Sequence, residues 1–130
     1  MSTLQVTTIQ NTSGGSSRTT DQLYSGSAKA WVNFNGGGAS LSNQTIRSSF
    51  NVTSVYKNAT GIYTVNFTSS LFSNANYTTV IGASQPSAQS TNKAYGFVDS
   101  NYLSGSVQIL NISSNGGNSD AAIVCVSAFS

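Results

Sequence analysis

AKAWVNFNGGG, residues 28–38, sets the reading of the whole chain. Ala28, Ala30, Val32 and Phe34 fall on one face of an alternating run, and Lys29, Trp31 and Asn33 on the other. Successive side chains of a strand point to opposite sides of a sheet, so period two over seven residues predicts a β-strand. Three glycines follow, and glycine can take the positive φ that a chain reversal needs. The strand carries bulk on both faces. That predicts cover on both, either inside one sandwich or with Trp31 between subunits.

Outward from this stretch, the chain reads as short strands and turns. Residues 51–57 (NVTSVYK) and 62–68 (IYTVNFT) form the clearest hairpin, joined by NATG. Tyr63, Val65 and Phe67 should line one face of its second arm. Residues 71–75 read as a turn with an apolar plug, and 77–83 (YTTVIGA) as a strand. Residues 85–92, with the only proline at Pro86, read as a loop; 93–98 follow as a short strand and 99–105 as a turn region. Residues 106–112 (SVQILNI) and 121–129 (AAIVCVSAF) are expected to pair across SSNGGNSD. The last would be a central strand buried on both faces, with Cys125 as a small buried hydrophobe. Roughly seven to nine strands at this spacing predict an all-β protein, an antiparallel β-sandwich or jelly-roll-like domain over residues 27–130.

Residues 1–26 read as an N-terminal arm and linker. Residues 3–9 (TLQVTTI) alternate like a short strand, and NTSGGSSRTTDQ after them reads as extended. Such an arm cannot bury itself. It is expected to dock on its own domain, on a neighbouring copy or on something larger, with Leu4, Val6 and Ile9 as its apolar contacts.

Composition narrows the function. Ser, Thr and Asn number 25, 14 and 14 among the 130 residues, against three Asp, five Lys or Arg, and no His or Glu. These polar residues are weak helix formers, and no ten-residue window shows a 3.6 period, so negligible helix is expected. The bases, Arg18, Lys29, Arg47, Lys57 and Lys93, are scattered and make no stripe for a phosphate backbone, which argues against nucleic acid. No 18-residue apolar run and no signal-peptide core occur, so neither membrane insertion nor export by the general route is expected, and synthesis is placed in the cytoplasm. Without His or Glu, and with Asp21, Asp99 and Asp120 far apart in turn-like contexts, no acid–base pair, metal cluster or cofactor site is expected. The enzyme reading is set aside on that ground. The glycine turns at 36–38 and 116–117 lack the lysine and helix of a phosphate loop. Seven N-x-S/T triplets follow from composition alone, and Cys125, being single, forms no internal disulfide. Among the aromatics, Tyr24, Tyr95 and Tyr102 lie near predicted loops as a candidate sugar-stacking or protein-binding surface.

Six stretches in order, STLQVTTIQNTSG, AKAWVNFNGGG, IRSSFNVTSV, TGIYTVNFTSSL, NANYTTV and DAAIVCVSAF, resemble phage virion structural proteins, in particular tail-fibre and appendage modules of marine and cyanobacterial phages. The resemblance covers most of the chain. It implies a β-rich module, usually trimeric, exposed on a virion, with no catalytic residues to carry over. Here no coiled-coil or β-helical shaft precedes the module, which favours a short appendage anchored through the arm. The expected function is thus a non-enzymatic virion protein, a small homotrimeric fibre attached to tail or head. A capsid decoration (cement) protein and a free carbohydrate-binding module are the alternatives. Expected partners are the chain itself, other virion proteins, and a host-surface glycan or protein. Candidate contact residues are Leu4, Val6, Ile9, Trp31, Tyr95 and Tyr102.

Overall fold

The computed structural model describes residues 3, 5–69, 71–84, 94–113 and 116–130, apart from the side chains of 94, 95 and 97–100. In chain order the elements are β1 (Thr8–Gln10), β2 (Ser17–Thr19), α1 (Thr20–Gly26), β3 (Ala30–Phe34), β4 (Ser42–Asn43), β5 (Ile46–Phe50), β6 (Val52–Ala59), β7 (Ile62–Phe67), β8 (Thr78–Ala83), β9 (Ala94–Leu103), β10 (Ser106–Ser113) and β11 (Val124–Phe129). A five-stranded sheet, β4-β6-β7-β10-β9, faces a four-stranded sheet, β5-β3-β11-β8. The strands of both pair antiparallel, so the described chain is an all-β sandwich.

Period two decides what lies between the sheets. Ala30, Val32 and Phe34 of β3 and Val124, Val126 and Ala128 of β11 point inward from one sheet. Val55, Tyr63, Val65, Phe67, Val107 and Ile109 meet them from the other. Each such valine, isoleucine or phenylalanine contributes roughly 1.5–3 kcal/mol by leaving water, and each alanine less. The hairpin of β6 and β7 forms as the sequence predicts, with Val55 opposite Val65. An aromatic plug of Phe67, Phe72, Tyr77 and Tyr102 closes one region of the core, Phe72 and Tyr77 stacking at 4.3 Å. The chain passes from β5 to β6, and so between sheets, through Asn51 alone. Asn51 sits at φ +56°, where asparagine is among the better tolerated residues. Its Nδ2 donates to the Lys29 carbonyl at 2.8 Å and its own carbonyl accepts from the Thr68 N–H at 3.0 Å.

Several expectations are corrected. None of Gly36, Gly37 and Gly38 has positive φ. Gly36 is needed for close approach instead: a Cβ there would stand 2.6 Å from Tyr63 Oη and 2.8 Å from the Ala121 carbonyl. The supposed linker is folded. Thr8, Ile9 and Gln10 pair with Thr19, Arg18 and Ser17, and the turn closes as Gly14, at φ +71°, donates its N–H to the Asn11 carbonyl. A one-turn-and-more helix follows where none was expected. Thr19 Oγ1 accepts from the Gln22 N–H and Gln22 Oε1 from the Thr19 N–H, each at 3.1 Å. That reciprocal cap supplies locally what apolar periodicity lacks.

β10 and β11 do not pair. β10 lies between β7 and β9, and β11 between β3 and β8, in opposite sheets. Their inward residues face each other across the core, an arrangement alternation cannot tell from lying side by side. Nor is β11 buried on both faces: Cys125 is exposed, and among the described residues no layer covers the outer side of its sheet. β9 extends through residues 99–103 of the turn region expected at 99–105, its ladder to β10 shifting register between Val98 and Tyr102. The loop expected at 85–92 lies outside the described residues.

Candidate functional site

Leu4 lies outside the described residues, as does the side chain of Tyr95. Val6 and Ile9 are exposed on the N-terminal hairpin, where Ile9, Arg18 and Leu23 line a shallow groove of about 570 Å³. Trp31, 38% exposed, stands on the outer face of the four-stranded sheet. There the registers align Phe50, Trp31, Ser127 and Val80 in one row across all four strands, with Phe50 and Val80 50% and 61% exposed. The outer face of the other sheet is different. Asn66 donates to Ser54, Asn58 to Thr64 and Asn101 to Gln108 in a ladder of amides and hydroxyls. Tyr102 is half-buried, its ring tilted 4.9 Å from Tyr77 and its hydroxyl 2.8 Å from Thr79 Oγ1. The described candidates, Val6, Ile9, Trp31 and Tyr102, therefore do not converge on one site.

A groove of about 610 Å³ brings together residues from three places in the chain: Tyr24, then Leu71, Phe72, Ser73, Asn74 and Asn76, then Ser130. Tyr24 projects from the capped helix α1 and is 69% exposed. Its carbonyl accepts from the Ser27 N–H at 3.3 Å, from Ser27 Oγ at 2.9 Å and from Lys29 Nζ. The same ammonium lies 3.2 Å from the ring centroid, a cation–π contact that fixes one face of the ring and leaves the other. Phe72, buried and stacked on Tyr77, gives the groove a rigid apolar wall. Asn74 Oδ1 accepts from the Asn76 N–H at 2.8 Å, which orients its amide. Tyr24 was legible as an exposed aromatic. Asn74 and Asn76 were not, in a chain so rich in asparagine.

At the triple glycine a second polar cluster forms around Lys57, only 2% exposed. Its Nζ donates to Asp120 Oδ2 at 2.6 Å and to the Gly38 carbonyl at 2.7 Å. Asp120 Oδ1 accepts from the Gly61 N–H at 2.8 Å and from Tyr63 Oη at 3.0 Å, while Tyr63 Oη also reaches the Gly36 carbonyl at 2.8 Å. Burial alone would raise the Asp120 carboxyl. The bonds from Lys57, Gly61 and Tyr63 outweigh it and hold the carboxyl below its ordinary range. Burial, then the bond to Asp120 and its charge, push the Tyr63 hydroxyl far above its usual value. Asp120 is thus not a solvated turn residue but the ion-pair partner of a buried lysine. The cluster ties the triple-glycine turn, the β6–β7 hairpin and the segment before β11 into one knot. Its sequence signal is Lys57 at an inward position, two residues after Val55.

No protein-family model and no curated protein matches the chain. Among solved structures it is similar to the phiAB6 tailspike, determined in complex with three-repeated oligosaccharides of Acinetobacter baumannii surface polysaccharide. The TM-score is 0.51 at 13% identity, over 76% of this chain and 19% of the tailspike chain. The likeness is one of fold, to a part of a phage tail appendage.

Proposed function

We propose that the chain is a non-enzymatic structural protein of a phage virion, a small homotrimeric appendage on tail or head that aids attachment to the host surface. The observation that carries this reading is the sandwich fold it shares with part of a phage tailspike. The sheet surfaces support it. One outer face is an amide and hydroxyl ladder suited to water, and the other presents Phe50, Trp31 and Val80 in a row with no covering layer among the described residues. Exposed aromatic and β-branched side chains aligned on one sheet face mark an interaction surface. A second copy would cover it, with the N-terminal hairpin left to engage another virion protein. Mapping the chain in purified particles, with its copy number, tests the reading. A few copies at tail or vertex are expected, a copy number matching the capsid lattice would make it a decoration protein, and absence from particles would overturn it.

The Tyr24 groove favours a second reading, a free carbohydrate-binding module. Light scattering at micromolar concentration separates the two, since the appendage should be a trimer and a free module a monomer.

A further inference from the structure

We infer that the groove between Tyr24 and the 71–76 turn is a saccharide site for an uncharged sugar residue. The inference rests on the attachment reading, and it names where on the chain the ligand sits and what chemistry it has. Sugar recognition needs a flat apolar surface for the ring's C–H face and convergent polar groups for its hydroxyls, both held rigidly. The groove offers each. Tyr24 supplies the flat surface; its position is set by the cap at Thr19 and by Lys29 against one face, so a ligand stacks on the opposite face. Phe72 supplies the wall, immobilised by stacking on Tyr77.

The polar groups stand ready. The side chains of Ser73, Asn76 and Ser130, and Asn74 Nδ2, have no hydrogen-bond partner among the described residues, while Asn74 Oδ1 is tied to the Asn76 N–H. These amides and hydroxyls can donate and accept in pairs, as vicinal sugar hydroxyls require. No Asp, Glu, Lys or Arg side chain lines the groove. The Lys29 ammonium is tied to the Tyr24 carbonyl behind the ring, so an acidic sugar stacked on the open face meets no direct counter-charge from the lining side chains, while a neutral sugar needs none. It follows that binding should be insensitive to ionic strength.

The test is amide chemical-shift mapping of the full chain against maltotriose, galactobiose and N-acetylchitotriose, with trigalacturonate as the acidic arm. At least one neutral probe should shift the amides of Tyr24 and residues 71–76 equally at low and high salt. Tyr24→Ala should raise the dissociation constant about tenfold and leave the melting temperature unchanged, since helix α1 has no buried residue; Tyr24→Phe should keep binding. Shifts with trigalacturonate alone, shifts elsewhere, or none with any neutral probe would overturn the inference. A trimer that ignores every sugar removes the saccharide site and leaves the appendage; a monomer that binds at Tyr24 does the reverse.

Discussion

At the scale of single residues, the knot around Lys57 is where small changes should cost most. Asp120→Ala leaves an ammonium buried without its counter-charge, and should destabilise by about 3–5 kcal/mol, toward the lower figure because Asp120 is partly exposed. Lys57→Met with Asp120→Asn removes both charges and should recover much of that loss in denaturant melts. The pH dependence has two arms. The Asp120 carboxyl is lowered in the fold, so its contribution is present above its ordinary value of 3.8 and lost as pH falls below it. The Tyr63 hydroxyl is raised, so its contribution is whole below 10.0 and drains away above it, as the unfolded chain ionises first. Melting temperature against pH should therefore fall at both ends, and Asp120→Asn should flatten the acid arm. Gly36→Ala has no room beside Tyr63 Oη and the Ala121 carbonyl, and should cost about 1–3 kcal/mol by overpacking.

At the scale of elements, the N-terminal hairpin and α1 add nothing to the core of the sandwich. No residue of β1, β2 or α1 belongs to the hydrophobic core. Deleting residues 2–15 should thus leave the thermal transition of the sandwich nearly unchanged, and on the proposed function should abolish incorporation into particles. A truncated chain that cannot fold, or one that still assembles normally, would remove the anchoring role. The hairpin also changes how the arm would engage a partner. β1 has β2 on one side, so the arm offers a prefolded surface with Ile9 and Leu23 exposed, not a lone strand seeking a ladder. Thr19→Ala deletes half of the reciprocal cap and should weaken α1 locally by about 1 kcal/mol, read as faster amide exchange at residues 20–26.

At the scale of the whole molecule, the outer face of the four-stranded sheet carries the prediction about assembly. If a second copy lies on Trp31, Trp31→Arg should convert the trimer to a monomer that keeps its sandwich, since Trp31 takes no part in the core. Cys125, exposed on the same face, reports independently. Its thiol should react slowly with a water-soluble disulfide reagent in the trimer and quickly in the Trp31→Arg monomer. Equal rates would show that this face is open in both.

The alternation around Trp31 and along 62–67, the turn residues between runs and the dearth of helix formers determined an all-β sandwich and most of its inward side chains. Those are local properties, because strand period and turn chemistry act over a few residues. The pairing of β10 with β7 and of β11 with β3 and β8, the use of Gly36 for Tyr63, the union of Lys57 with Asp120, and the meeting of Tyr24 with Asn74 and Asn76 were decided only in three dimensions. Each joins residues tens of positions apart. Period two says which face a side chain takes but not which strand, sheet or loop it will meet there, and that is settled by how the two sheets close over one core.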